Sequence, residues 1–127
     1  MKRFVINLKR AYEEPEDRDG KRYLVDQLWP RGLTKASLKI DGWLKEVAPS
    51  QTLRRWFQHD PEKWNEFRRR YFGELDAKPE AWRTLIDAAR KSTITLIYSA
   101  RDTKHNNGVA LAEYLAQRIK SDPEGQR

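Results

Sequence analysis

Residues 23–35 read Tyr-Leu-Val-Asp-Gln-Leu-Trp-Pro-Arg-Gly-Leu-Thr-Lys, an apolar run that stops abruptly in the turn Trp29-Pro30-Arg31-Gly32. Pro30 lacks the amide that a central ladder needs, Trp29 before it is pushed toward extended geometry, and Gly32 permits a positive φ where the chain swings away. The stretch therefore predicts a buried strand over about residues 22–28 that hands Asp26 and Arg31 to a loop at one end. Open α/β sheets carry their ligands at such strand ends.

Working outward, Phe4, Ile6 and Leu8 alternate with Val5, Asn7 and Lys9, the pattern of a first strand with Arg10 and Tyr12 just past its end. Residues 13–20 are polar and close on Asp19-Gly20, an exposed connection whose acidity reads as solvation. Its length fits either a hairpin or a parallel return. Downstream, Trp43, Leu44 and Val47 predict a short helix starting near Asp41 and ended by Pro49. Ser50 caps a second helix with Leu53, Trp56 and Phe57 on one face. Asp60-Pro61 opens a third with Trp64, Phe67, Tyr71 and Leu75, and Pro79 opens a fourth with Trp82, Leu85, Ile86 and Ala89. Residues 93–98 are β-branched and aromatic, a third strand returning to a parallel sheet after the helices. Leu111, Ala112, Leu115, Ala116 and Ile119 make a last helix over residues 107–120. The expected fold is α/β, a small, mainly parallel central sheet flanked by helices in a single layered domain (1–120), followed by a frayed polar tail (121–127).

A chain of 127 residues has room for one modest core. Without cysteine it has no disulfide, thiolate nucleophile or Cys-ligated zinc, and two histidines far apart do not build a metal site, so neither metal nor cofactor is expected. No apolar run reaches the roughly 20 residues of a membrane span, and the start has no signal-peptide core, which points to a cytoplasmic protein away from the membrane. The formal net charge of +7 biases encounters toward anions.

The second informative stretch, Tyr98-Ser-Ala-Arg-Asp-Thr-Lys-His-Asn-Asn-Gly, joins the third strand to a helix capped by Asn106 or Asn107. Free amides at that helix start, with Arg101 and Lys104, suit a phosphate or carboxylate, although neither P-loop nor dinucleotide glycine spacing is present. With parallel strands, Arg10, Tyr12, Asp26, Trp29, Arg31, Lys35, Arg101, Asp102, His105 and Asn106 become one candidate ligand-binding rim. Asp26 and His105 are the candidate acid–base groups. Ser99 is a candidate nucleophile only with a base in reach, since no Gly-x-Ser-x-Gly elbow surrounds it. An ion pair to Arg31 or Arg10 is the expected partner of Asp26. Arg54, Arg55 and Arg68 to Arg70, interleaved with Trp56, Phe57, Trp64, Phe67 and Tyr71, offer a nucleic-acid surface, but the aromatics fall at core spacing. His59 is expected to pack on Trp64.

The runs from Asp19 to Lys35, Trp43 to Ser50, Leu53 to Asp60 and Tyr98 to Asn107 together resemble the YeaO-like bacterial proteins, the domain of unknown function 488. The resemblance spans nearly the whole chain. It implies a parallel sheet in which the Asp19-Gly20 loop replaces a longer crossover, and it gives weight to Arg10, Asp26, Trp29 to Gly32, Lys35, Arg101, Asp102, His105 and Asn106. It also implies arginine where Gln27 stands, and thiol chemistry in the loop at residues 99–106, which a chain without cysteine does not carry. The expected function is binding of a small anionic ligand, a nucleotide or phosphorylated metabolite, at the C-terminal rim of the sheet. The alternatives are nucleic-acid binding by the arginine-rich helices and a protein-interaction or regulatory module.

Overall fold

The computed structural model describes residues 4–121. Four strands form one parallel sheet in the order β1-β4-β2-β3: β1 is Ile6–Arg10, β2 is Lys21–Leu24, β3 is Gly42–Trp43 and β4 is Ile94–Tyr98. The central strand β4 is buried along its whole length, as the β-branched run 93–98 requires. Register sets Leu8 beside Leu96 and Tyr23 beside Leu96, so one face of three strands points the same way.

That face carries the larger core. Helices α2 (Gln51–Phe57), α3 (Trp64–Asp76), α4 (Pro79–Lys91) and α5 (Asn107–Ser121) pack against it, and Phe67, Tyr71, Leu85, Leu96 and Leu111 are almost fully buried there. Local signals start these helices. The Ser50 hydroxyl accepts the Leu53 amide, the Asp60 carboxylate accepts the Glu62 amide, and Pro79 begins α4. Asp60-Pro61 opens a 3₁₀ turn, Pro61–Lys63, before α3 proper.

The opposite face has a thinner cover. Ala11, Leu24, Leu38 and Ile97 pack with Trp29, Leu33, Ile40 and Trp43, using the four-residue helix α1 (Lys35–Leu38), which has no counterpart in the sequence expectation. Beside this small cluster lies a charged one. Lys9 Nζ donates to Asp19 at 2.9 Å and to Glu16 at 2.7 Å, Arg22 Nη1 donates to Asp19 at 2.6 Å, and Arg22 also bonds the carbonyls of Leu38 and Lys39. The connection 11–20 is thus not acidic for solvation alone: Asp19 is buried and clamps the return from β1 to β2. Gly20 makes that return possible, with φ of 65° and a position where a Cβ would stand 2.1 Å from the Thr93 carbonyl oxygen.

The helix expected from Asp41 is instead the edge strand β3 followed by a 3₁₀ turn, Lys45–Val47. Pairing overrides the helical spacing of Trp43, Leu44 and Val47: the Asp41 amide donates to Arg22 O, the Leu44 amide to Leu24 O, and Trp43 Nε1 to Asp26 O. So short a segment has no helical stability of its own to resist this. Ser121 belongs to α5, and the rest of the expected frayed tail lies outside the described residues. Among the described residues no helix is long and apolar enough to cross a membrane.

Candidate functional site

All four strands run in the same sense, so the chain leaves β1, β2 and β4 on one rim of the sheet. Between those exits opens a cleft of about 660 Å³. The loop after β2 supplies Asp26 and the segment from Gln27 to Arg31, the loop after β4 supplies Ser99 to Asp102, and Tyr12 reaches in from beyond β1. Asn107 at the start of α5, Pro49, Arg54 of α2 and His59 complete the wall.

Asp26 is the pivot of this rim. Its Oδ2 accepts the Ser99 amide at 2.9 Å and its Oδ1 accepts Asn107 Nδ2 at 3.0 Å, while Asn107 Nδ2 also donates to the Val25 carbonyl. The carboxylate therefore ties the ends of β2, β4 and α5 together through amides. The expected ion pair with Arg31 or Arg10 is replaced by this arrangement: neutral donors from two elements already surround Asp26, and Arg10 turns instead to the carbonyls of Ala100 and Ser99.

The Trp-Pro-Arg-Gly turn is held by its indole. Trp29 Nε1 donates to the Leu33 carbonyl at 2.6 Å, its ring meets Trp43 edge-on at 5.3 Å, and Gly32 takes φ of 82°. Tyr12 Oη then donates to the Arg31 carbonyl at 2.9 Å, fastening the loop after β1 to the loop after β2. Arg31 and Arg101 are exposed on the cleft, and among the described residues neither guanidinium has a hydrogen bond or ion pair. Arg54 donates only from Nε, to the Pro49 carbonyl at 3.2 Å. Three arginines thus face one concavity with most of their donors unspent.

Of the ten expected rim residues, Tyr12, Asp26, Trp29, Arg31, Arg101 and Asp102 line the cleft. Arg10 supports it from behind, with its guanidinium 5.2 Å from the centre of the Tyr12 ring. His105 turns away: its Nδ1 lies 2.9 Å from Asp102 and its ring meets Trp64 edge-on at 5.4 Å. The Lys104 amide and the His105 ring outweigh partial burial and hold the Asp102 carboxyl below its usual value. Asn106 is buried and caps α5, its Oδ1 accepting the Val109 amide, and it reaches only a smaller adjoining pocket. Lys35 lies in the first turn of α1, outside the cleft.

Arg54 and His59 join the wall without having been expected there. His59 packs on Phe57 at 6.2 Å rather than on Trp64, because it and Gln58 both adopt left-handed backbone, which turns the chain sharply between α2 and the next 3₁₀ turn. Nothing in the local sequence announces that pair of positive φ angles. Ser99 lines the cleft, but its Oγ is buried and has no hydrogen-bond partner among the described residues. Among the described residues no group of His, Asp and Glu could hold a metal ion.

The family model described as the inactive DUF488-N3 subclade matches residues 5–127. The chain belongs to this DUF488-N3i family. The uncharacterized protein YeaO of Escherichia coli strain K12 is 42% identical over 110 residues, which cover 87% of this chain and 96% of that protein. The uncharacterized proteins Rv3073c of Mycobacterium tuberculosis and Mb3100c of Mycobacterium bovis are each 36% identical over 110 residues, 87% of this chain and 92% of theirs. No solved structure matches the chain. Membership of DUF488-N3i agrees with the YeaO-like resemblance carried by the Trp-Pro-Arg-Gly and Ser-Ala-Arg-Asp segments, and both segments line the cleft.

Proposed function

We propose that this protein binds a small anionic ligand, a nucleotide or phosphorylated metabolite, in the cleft at the C-terminal rim of its sheet. The observation that carries the reading is the convergence of Arg31, Arg54 and Arg101 on one concavity, two of them without a side-chain partner among the described residues. Guanidinium forks match phosphate and carboxylate oxygens in pairs, and in a partly desolvated cleft such bonds are stronger than on open surface. Asp26 and Asp102, the two carboxylates in the wall, are already engaged by Ser99, Asn107, Lys104 and His105, which lowers their opposition to an anion.

Recognition without turnover is the form of the proposal. The family description as inactive supports it, as do a buried Ser99 hydroxyl that no base among the described residues contacts and a His105 held against Trp64 outside the cleft. Nucleic-acid binding by the arginine-rich helices draws less support, since Arg68 is paired with Glu113, Arg69 and Arg70 with Glu66, and Arg70 also lies over Trp56 at 4.2 Å. A chain without cysteine suits the reducing cytoplasm, which we take as its compartment. The test is calorimetric titration with nucleotides and sugar phosphates on the wild type and on Arg31→Ala/Arg101→Ala. Binding that the double substitution weakens by about a hundredfold is expected, from two charge-assisted contacts at about 1.5 kcal/mol each. Equal binding by the double variant would refute the arginine site.

A further inference from the structure

Resting on the anion-site reading, we infer that the ligand is a ribonucleoside phosphate, with its ribose diol on Asp26 and its base against the apolar lip formed by Leu28 and Tyr12. Size is the first argument. A phosphate or a three-carbon phosphate fills little of 660 Å³, whereas clefts of about 300–1,000 Å³ enclose drug-sized ligands.

The lip is the second argument. Leu28 is 70% exposed and Tyr12 46% exposed, two of the four large apolar side chains left most open to solvent among the described residues, and both stand on this cleft beside Pro30 and Pro49. Exposed apolar side chains rimming a charged concavity suit the faces of a flat heterocycle, and a sugar phosphate has nothing to place there.

The floor supplies the third. Asp26 spends one lone pair of each oxygen on the Ser99 amide and on Asn107, leaving two of about four for a ligand. Two acceptor positions left on one carboxylate are complementary to two neighbouring hydroxyls on a sugar. The arginines of the mouth then meet the phosphate.

The probes are the four ribonucleoside 5′-monophosphates, their 2′,3′-dideoxy counterparts, ribose 5-phosphate and inorganic phosphate, titrated calorimetrically into the whole protein. At least one monophosphate is expected to bind about tenfold or more tighter than ribose 5-phosphate and than its own dideoxy counterpart. Ribose 5-phosphate binding as tightly as every monophosphate overturns the base lip, and dideoxy compounds binding equally overturn the diol floor, in both cases with the arginine site intact. Failure of all probes, phosphate included, overturns the inference together with the anion reading beneath it.

Discussion

Asp19→Ala removes the carboxylate on which two buried cations close. Its oxygens accept Lys9 Nζ at 2.9 and 3.1 Å, Arg22 Nη1 at 2.6 Å and the Glu16 amide at 2.9 Å, and all three charged side chains are nearly inaccessible. Removing one partner of a buried pair costs about 3–5 kcal/mol because the remaining charge has neither water nor counter-ion. The lower end applies, since Lys9 keeps Glu16 and the Glu14 carbonyl and Arg22 keeps two backbone carbonyls. At about 2.1 cal/mol/K per residue, a chain of 127 residues has an unfolding entropy near 0.27 kcal/mol/K, so about 3 kcal/mol lowers the melting temperature by about 11 °C. Burial opposes ionisation of Asp19, but the bonds from Lys9, Glu16 and Arg22 outweigh it and depress its carboxyl. Its contribution to stability is therefore present above the unfolded value of about 3.9 and lost as pH falls through the lower folded value. Burial likewise opposes the charge on Lys9, yet Glu16 and Asp19 raise it on balance, so its contribution is full below about 10.4 and fades as pH rises through the folded value. Calorimetric melting at pH 7, with urea unfolding from pH 2 to 6, reads both quantities. A loss under about 3 °C, with an acid limb unchanged from wild type, would place the cluster with weak surface pairs and refute the reasoning.

Arg31→Ala should leave the melting temperature within about 2 °C of wild type, because the side chain has no bond to lose among the described residues; a larger fall would make it a structural residue. Gly20→Ala should prevent folding or yield insoluble protein, its Cβ driven to 2.1 Å from a backbone oxygen, whereas Gly32→Ala, with nothing within 4 Å, should cost only about 1–2 kcal/mol for its positive φ. Equal losses at the two glycines, measured by urea denaturation, would contradict the contact geometry. Asp26→Ala should cost about 2 kcal/mol by freeing the Ser99 amide and Asn107, and should shift amide resonances at the starts of both the 99–106 loop and α5. Shifts confined to the loop after β2 would show that Asp26 does not join these elements.

The helices and central strands were legible because their signals are local: the caps at Ser50 and Asp60, proline at position 79, and the unbroken β-branched run of β4. β3 was not, because its two residues are a strand only through pairing with β2, and spacing alone reported the competing helix. The burial of Asp19 has its signal in the neighbouring strands. Lys9 and Arg22 occupy strand positions on the same face as Ile97 and Leu24, and two inward cations require an inward anion. The rim residues of the three strand ends followed from parallel topology. Arg54 and His59 did not, since their place depends on how α2 docks and on two left-handed residues after it.

The unequal cover of the two sheet faces carries over into which parts of the molecule open first. The helix side is anchored by a continuous buried core, while the opposite side is held by a few apolar contacts, one charged cluster and short irregular segments. Exchange of backbone hydrogens is slowest where opening requires global unfolding and faster where a sub-global opening suffices. The cleft lies on the seam between these regimes. Ser99, Asn107 and Arg54 stand on the slow side, and Tyr12, Trp29 and Arg31 belong to the segment that can lift away at smaller cost. A ligand bridging both sides therefore slows exchange across residues 11–41 far more than across α3 or α4, and this protection pattern marks occupancy of the cleft before the ligand is known.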